Sequence, residues 1–341
     1  MIEQMYRLIN EIILALENKQ YCTALFMDIE KAFDKINHES LLQTIRKQFP
    51  EQIYQLIKSY LSGRTFVIKI RDTYSEVKDI KAGVSQGSVL GPILYTLYRA
   101  NIPTTINSKI LTFADNTAIL FRYTNPETAV KLLQEHITKI EKWLQEKQIK
   151  ANPNKCNHIT FTLRKQIPPN ILLNGTHITQ TKQVKYLGLH LDTQLTWKQH
   201  TKSIIDKIQT TRRQMHWLTS RKSKLSIENK LKIYKTIIKS IWKYGILLWG
   251  TAAMSHINKI ETIQAKILKT IVNAPWYVRN EDIRTYQRIP TVKEEINRYA
   301  ERYKERIATH PNRLAAETIN TSNMEKRLKR KHPADLTKDI T

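Results

Sequence analysis

The sequence predicts an α+β fold in which an antiparallel sheet backed by helices precedes a helical, strongly basic region. Short apolar runs typical of strands alternate with amphipathic helices up to about residue 195. Two of these runs flank Asp115-Asn116, a residue pair typical of a hairpin turn. From residue 198 onward, apolar residues recur at helical spacing among lysines and arginines.

Local patterns predict each element in turn. A helix is expected where apolar residues recur every three or four positions, and a strand where a short apolar or β-branched run is bounded by turn residues. The predicted helices in the first half cover residues 2–18, 38–49, 54–61, 88–98 and 130–144. The predicted strands cover residues 21–27, 65–70, 75–80, 110–114, 117–121, 159–163, 171–173 and 185–191.

The composition excludes several classes of protein. Of the 341 residues, 41% are hydrophobic and 25% charged, which favours two or three packed subdomains and excludes wholesale disorder. The only cysteines, Cys22 and Cys156, exclude a disulfide scaffold and a zinc site built from cysteine pairs. No apolar run approaches the roughly 18 residues of a membrane span, and the first residues do not resemble a signal peptide. We therefore expect an intracellular protein without a membrane partner.

The net charge of +26 is concentrated in the later part of the chain. Residues 1–125 carry 15 basic and 12 acidic side chains, whereas the other 216 residues carry 41 and 18. Clustered positive charge of this size favours nucleic-acid binding over a merely solvated lysine-rich surface. Residues 198–250 carry 13 basic and two acidic residues. Four tryptophans lie in or directly before this region: Trp197, Trp217, Trp242 and Trp249. Their rings could stack on bases, although burial in the core is the stronger interpretation.

Two aspartates are candidates for chemistry because each lies where an apolar strand meets a turn. Asp28 ends the run 21–27, and Asp115 lies at the predicted hairpin tip. Two desolvated carboxylates that meet would repel each other, and a divalent cation relieves that repulsion. Paired Mg²⁺ ions bound in this way promote phosphoryl transfer. From spacing alone, two turn-capping aspartates are the simpler alternative.

Characteristic residues surround both aspartates. The apolar strand with Asp28 continues as Ala-Phe-Asp, and Phe-Ala-Asp-Asn surrounds Asp115. Together with three further segments, these form five ordered segments that cover residues 24–34, 83–95, 113–119, 152–156 and 186–192. In this order they resemble the motifs of reverse transcriptases. The motifs are most similar to those of the polymerases of non-LTR retrotransposons, especially the jockey-like group, and residues 244–250 extend the resemblance to about residue 290.

The resemblance implies an RNA-directed DNA polymerase that transfers a nucleotide from a dNTP to a primer 3′-hydroxyl on an RNA template. Its cofactor would be two Mg²⁺ ions, with Mn²⁺ as an alternative, and its partners would be template RNA and a DNA primer or target. The implied metal ligands are Asp28, Asp115 and the Ile29 carbonyl, and Asn116 and Lys155 complete the catalytic set. The other implied residues are Phe33, Gln86 and Gly87 for the nucleotide, and Leu187 and Gly188 for the primer grip.

The sequence departs from the family pattern at three positions and at its beginning. Asn116 stands where the family has a second aspartate, which removes one negative charge from the implied metal site. Ser85 replaces a proline and Asn101 an aspartate, which are milder changes. Because the motifs begin almost at once, we expect an N-terminally truncated chain that lacks most of the fingers. The alternative function is therefore a non-catalytic remnant that binds nucleic acid.

These expectations give a domain plan. Residues 1–195 would form the polymerase palm, residues 196–320 a helical basic thumb and C-terminal region, and residues 321–341 a disordered basic tail. The tail segment 326–331 resembles a nuclear-import signal, although a disordered basic end is the simpler interpretation. Action on target DNA would place the protein in the nucleus.

Overall fold

The computed structural model describes residues 1–166, 168–316 and 326–337 and divides the chain into two compact units. We call Tyr21–Thr160 with Lys165–Thr181 the sheet unit. The helical unit comprises Met1–Gln20, Phe161–Arg164 and the chain from Lys182 onward. The first helix thus belongs with the second half of the chain.

The elements follow the chain in this order. Its first half contains α1 (Ile2–Glu17), β1 (Tyr21–Asp28), α2 (His38–Gln48), α3 (Glu51–Leu61), β2 (Thr65–Phe66), β3 (Lys69–Ile70), β4 (Thr73–Tyr74), β5 (Lys78–Asp79), α4 (Leu90–Tyr98), β6 (Ser108–Phe113), β7 (Asn116–Tyr123) and α5 (Pro126–Glu146). A 3-10 turn (Pro153–Lys155) leads to β8 (Asn157–Phe161), β9 (Ile171–Leu173), β10 (Thr176–Ile178), β11 (Gln183–Tyr186) and β12 (Leu189–Asp192).

The remaining described elements are mostly helices. They are α6 (Lys198–Gln214), α7 (His216–Thr219), α8 (Ile227–Ile233), a π-helical segment (Tyr234–Ile238), α9 (Lys239–Lys243), α10 (Ile246–Trp249), α11 (Met254–Ile271), α12 (Asn280–Gln287), α13 (Val292–Ala308), α14 (Arg313–Ala316) and a 3-10 turn (Pro333–Thr337). Within the described residues, no helix is long and apolar enough to cross a membrane.

A four-stranded sheet in the order β6-β7-β1-β8 forms the centre of the sheet unit. The first seven residues of β1 are all buried, as expected for a strand with neighbours on both sides and a covered surface. Strand β1 pairs antiparallel with β7, from Tyr21 opposite Tyr123 to Asp28 opposite Asn116. Helix α5 packs against both strands and contributes buried residues such as Leu133 and Ile137 to the core. The predicted α+β class is confirmed.

The hairpin β6–β7 carries the second candidate aspartate at its tip, as predicted. The register pairs Phe113 with Asn116, so the two turn residues are Ala114 and Asp115. Ala114 has φ +48°, a left-handed conformation that two-residue hairpin turns require. The turn lies one residue earlier than Asp115-Asn116, and Asn116 is therefore the first residue of β7.

Two other hairpins were anticipated to different degrees. The predicted strands 65–70 and 75–80 form a hairpin around Arg71-Asp72, with β3 paired to β4 and β2 paired to β5. The prediction of one strand over residues 185–191 was wrong, because Leu187 and Gly188 form a turn that separates β11 from β12. Both turn residues have positive φ, and a two-residue hairpin needs such backbone at these positions.

The tryptophans divide by burial. Trp197, Trp242 and Trp249 are at most 2% exposed, so the core interpretation holds for these three. Trp217 is 72% exposed and remains available to a ligand. Burial is decided by packing between distant helices, which the local spacing does not specify.

Residues 326–337 differ from the prediction of a disordered tail. The carboxylate of Glu17, at the end of α1, accepts hydrogen bonds from the main-chain amides of Arg327 and Leu328 and bonds to the ring of His332 at 2.9 Å. The Arg327 guanidinium also donates to main-chain carbonyls in the last turn of α1. Residues 321–325 and 338–341 of the predicted tail lie outside the described residues.

Candidate active site

The two candidate aspartates meet at one end of the β1–β7 pair. Asp28 is the last residue of β1, and its Cα partner in the antiparallel register is Asn116. Directly opposed residues in such a pair have Cα atoms roughly 4.5–5.5 Å apart. Asp115 lies in the hairpin turn, directly before Asn116. Residues distant in sequence are thus brought together by strand pairing.

The negative charges of Asp28 and Asp115 both act on the buried hydroxyl of Tyr95. Burial raises the pKa of Tyr95 on α4, the neighbouring Arg99 guanidinium opposes this rise, and the charges of Asp115 and Asp28 add to it. The side chain of Asp28 is 26% exposed, and Asp115 is half-buried. The two charges therefore share one partly desolvated space, where a cation would lower their mutual repulsion.

Lys155 supplies a positive charge beside Asp28. Its Nζ lies 3.5 Å from Asp28 Oδ2, and its side chain is 68% exposed. The 3-10 turn that carries Lys155 is fixed to β1, because the Asn152 amide donates to the Asp28 carbonyl at 3.0 Å. The next residue, Cys156, is buried, and burial raises the pKa of its thiol to about 11. A reactive thiolate is therefore excluded, and Lys155 remains the candidate group on this turn.

Asn116 and Asp115 contact each other directly. The Asn116 amide nitrogen donates to Asp115 Oδ1 at 2.9 Å. An aspartate at position 116 would instead place a second negative charge against Asp115. The Asn116 N–H group therefore stabilises the Asp115 carboxylate. The Asn116 amide oxygen can serve as a metal ligand, but it carries no charge.

The residues present fit a hard divalent cation that brings additional ligands. The donor set is two carboxylates, the Asn116 amide and the Ile29 main chain. The bridge between Ile29 and Ala151 uses the Asp28 carbonyl and the Glu30 amide, which leaves the Ile29 carbonyl outside these hydrogen bonds. Among the residues that the structure describes, no group of three or more His, Cys, Asp or Glu could hold a metal ion. Such a sparse set suits Mg²⁺, which retains waters and shares substrate phosphates.

The candidate nucleotide-binding residues lie in the segments that join β1 to α2 and precede α4. The Phe33 ring packs against Tyr95 with centroids 4.9 Å apart. The exposed Gln86 donates to Asp34 Oδ1 at 2.8 Å. Gly87 has φ +83° and nothing within 4 Å of an added Cβ. An added Cβ on Gly83, with φ +88°, would lie 2.7 Å from the Asp34 carbonyl oxygen, so only glycine lets these segments approach.

The candidate primer-grip residues belong to the helical unit. Leu187 and Gly188 form the β11–β12 turn, whose Leu187 carbonyl accepts a 2.6 Å hydrogen bond from the Tyr244 hydroxyl. A Cβ on Gly188 would lie 2.9 Å from Tyr244 Cε1. Glycine is therefore explained by its φ of +78° and by this ring. Its role in gripping a primer stays a prediction.

Sequence reasoning missed Arg99, which supports the turn that bears Asp115. Arg99 is only 6% exposed; its guanidinium donates to the Ala114 carbonyl and to the Thr117 hydroxyl, and lies 5.3 Å from the Tyr95 ring centroid. The available signal was its position as the sole charged residue between Leu90 and Pro103. A charge in such an apolar stretch needs a specific partner.

Comparisons with known proteins identify the family. Residues 3–191 match the family described as "Reverse transcriptase (RNA-dependent DNA polymerase)". The chain is 37% identical over 340 residues to the "Probable RNA-directed DNA polymerase from transposon X-element" of Drosophila melanogaster, covering 98% of this chain and 37% of that protein. It is 38% identical over 350 residues to the "RNA-directed DNA polymerase from mobile element jockey" of the same species, covering 98% and 38%.

Among solved structures, a Candida tropicalis telomerase in complex with a fragment of telomeric RNA is similar with a TM-score of 0.45 and 14% identity, covering 86% of this chain and 50% of that one. The chain spans little more than a third of the length of the curated relatives it matches. The family match covers more than half of the chain and includes both strand-end aspartates. The chain belongs to the reverse transcriptase family and is related to the polymerases of jockey-like non-LTR retrotransposons.

Proposed function

We propose that this chain carries out RNA-directed DNA synthesis for a non-LTR retrotransposon. The observation that supports this most directly is the register of β1 and β7, which sets Asp28 beside the turn bearing Asp115. The proposed reaction joins a primer 3′-oxygen to the α-phosphorus of a dNTP and releases pyrophosphate. In this proposal the sheet unit acts as the palm and the helical unit as the thumb, with RNA template and DNA primer or target as partners and the nucleus as the place of action.

Reverse transcriptases generally use divalent metal ions. In this chain Asp28, Asp115 and the Ile29 carbonyl would hold two Mg²⁺ ions, with the Asn116 oxygen as a neutral ligand. When bound, these ions would supply the positive charge that stabilises the attacking and leaving oxygens. The missing carboxylate at position 116 predicts weaker metal binding and a slower reaction than an aspartate there would give.

The remaining residues would position the substrate. Lys155 is exposed beside Asp28 and can turn its ammonium group to the triphosphate and to the departing pyrophosphate. Phe33, held against Tyr95, would support the sugar and exclude a ribose 2′-hydroxyl. Gln86, which hydrogen-bonds to Asp34, would line the nucleotide with its side chain. Gly87, which has a positive φ and no side chain, would line it with its main chain. Leu187 and Gly188 would contact the primer.

A second candidate function is nucleic-acid binding without catalysis. The observation that favours it is the pairing of both carboxylates with protein groups, Asp28 with Lys155 and Asp115 with the Asn116 amide. A site that is already compensated gains less from binding cations. The basic helical unit would then retain the interaction with nucleic acid after the chemistry was lost.

Primer extension separates the two functions. The purified chain is given a primer annealed to RNA, dNTPs and either Mg²⁺ or Mn²⁺. Asp28→Asn removes one negative charge from the site and should abolish extension. Glu135→Gln removes the same charge from an exposed position on α5 and should leave extension unchanged. Asn116→Asp restores the family carboxylate and should raise the rate.

Each result assigns the function. Extension that is lost in Asp28→Asn but kept in Glu135→Gln supports the polymerase with Asp28 as a ligand. Extension of equal rate in Asp28→Asn contradicts the metal-site assignment. Template binding without extension in the wild type and in Asn116→Asp establishes the non-catalytic alternative.

A further inference from the structure

Two exposed aromatic rings lie just beyond the end of α11 in the helical unit. Trp276 is 88% exposed and Tyr277 70%, with ring centroids 5.9 Å apart at an angle of 82°. A tryptophan left in water forgoes the large hydrophobic free energy that its burial would release. The exposure of these rings is therefore either without function or leaves them available to bind a partner. The groups around the rings distinguish these two possibilities.

The segment that presents the rings is fixed to the helix. Asn273 has φ +53°, the Asn273 amide donates to the Thr270 carbonyl, and the Ala274 amide donates to the Lys269 carbonyl, which together form a Schellman C-cap. Arg221 donates to the Ala274 carbonyl at 3.3 Å. Lys269 Nζ donates to the Trp276 carbonyl at 3.1 Å. The rings are thus held outward by a defined backbone, which lowers the entropy cost of binding a partner.

A basic cavity of about 560 Å³ lies between α6 and α11, the helix that precedes this segment. Its lining residues are Gln209, Arg212, Arg213, His216, Ile263 and Lys266. Within the part of the chain that the structure describes, no carboxylate is among them. Residues 207–227 contain six lysines and arginines and residues 262–280 contain three, and neither stretch contains an aspartate or glutamate. The cavity is therefore suited to an anion.

Helix α11 connects the cavity to the rings. Lys266 lines the cavity, and Lys269 follows three positions later, so the two side chains are neighbours on the same helix face. Lys269 in turn binds the Trp276 carbonyl. Lys266, which lines the cavity, and Lys269, which holds the main chain of Trp276, are thus about one helical turn apart.

We propose that this surface binds an unpaired nucleotide of single-stranded nucleic acid. The phosphate enters the cavity of Arg212, Arg213 and Lys266, and the base stacks on Trp276, with Tyr277 supporting it edge-on. A duplex is disfavoured because the faces of its bases are already stacked on each other. The inference rests on the nucleic-acid binding in the proposed function, but it requires neither metal ion nor dNTP.

The test measures binding of a fluorescent 12-nucleotide strand, as RNA and as DNA, and of the corresponding blunt duplex, without divalent cations. Trp276→Ala should weaken single-strand binding by about 5- to 100-fold and leave its salt dependence unchanged. Arg212→Gln should lower the slope of log K against log salt by about 0.7. Lys259→Gln, on the same helix but outside the cavity, should change affinity less than about twofold.

A strand carrying 5-iodouridine, crosslinked by light to the wild-type chain, should label the peptide containing Trp276 and Tyr277. Comparison of RNA with DNA identifies which strand the site prefers. Unchanged single-strand affinity in Trp276→Ala, equal weakening of duplex binding, or crosslinks confined to other peptides would overturn the proposal. Because catalysis is not measured, loss of extension in Asp28→Asn and loss of single-strand binding in Trp276→Ala are independent results.

Discussion

Two carboxylate groups in this molecule differ in burial and in the number of cations around them. In the sheet unit, Asp28 is partly exposed and, within the described residues, pairs with one cation, Lys155 Nζ, at 3.5 Å. In the helical unit, Glu295 is fully buried; Arg298 binds its two oxygens at 2.5 and 2.6 Å, Lys239 lies at 3.0 Å and Lys243 at 3.9 Å. The first carboxylate has capacity for a further cation, whereas the second is saturated by protein groups.

The difference separates structural charge from charge that can do chemistry. A buried carboxylate must be fully compensated, since a missing partner leaves an unpaired charge in the interior. A carboxylate that binds substrate-borne cations must keep part of its field uncompensated and open to solvent. The contrast therefore predicts that Glu295 controls stability with no direct part in chemistry, and that Asp28 does the reverse.

Removal of the buried charge should have the largest effect on stability. Glu295→Gln leaves Lys239 and Arg298 without their anion, and we expect a loss of roughly 3–5 kcal/mol. Glu301→Gln, on the exposed side of the same helix, should change stability by less than about 0.5 kcal/mol. Urea denaturation measures both. Equal stability of the two variants would contradict the distinction between a saturated and an open carboxylate.

A buried neutral histidine should give the next largest effect, and one that depends on pH. Burial lowers the pKa of His158 to about 4, from an ordinary value of 6.5. The unfolded chain therefore takes up a proton below pH 6.5 that the folded chain refuses, so stability is complete above that pH and falls as pH drops towards 4. The loss is roughly 3 kcal/mol at the lower limit.

Denaturation at pH 7 and pH 4.5 tests this pH dependence. His158→Asn should flatten the change between the two values, with a remainder from His200, whose pKa burial also lowers to about 4. A variant that loses as much stability on acidification as the wild type would refute the assignment to His158.

Arg99 combines features of the buried and the open charges. It is a buried cation, and it supports the turn that bears Asp115 in the candidate active site. Arg99→Met would leave the Ala114 carbonyl and the Thr117 hydroxyl without their donor, at a cost of about 1–3 kcal/mol. The turn that bears Asp115 would also lose its support, so extension should fall at temperatures where the variant is still folded. Thermal denaturation together with extension rates distinguishes this from a purely structural role, which would leave the rate of folded protein intact.

The smallest effect on stability should come from the residue that matters most for activity. Asp28→Asn removes one partly exposed ion pair, whose contribution is only about 0–1 kcal/mol. Its free energy of unfolding should therefore remain close to that of the wild type while extension is abolished. A destabilisation comparable to that of Glu295→Gln would show that Asp28 is structural and would break the comparison.

Much of the candidate site could be predicted from local sequence. The tip position of Asp115 followed from turn chemistry, and Asp28 was expected where the apolar run of β1 ends. The turn itself was displaced by one residue, since Ala114 takes the first turn position, with positive φ, where the sequence predicts Asp115. Arg99 was missed because its partners, the Ala114 carbonyl and Thr117, are supplied by a hairpin later in the chain.

Local sequence accounts for the β1 strand, the β6–β7 hairpin and the excess of positive charge, because strand period, turn residues and charge are local properties. Which charges are compensated and which rings stay in water depends on tertiary packing. Packing buried Trp197 and Trp242 and exposed Trp276; in the part of the chain that the structure describes, three cations face Glu295 and one faces Asp28. Burial and pairing depend on surfaces that meet across long sequence separations, and no local pattern encodes which surfaces will meet.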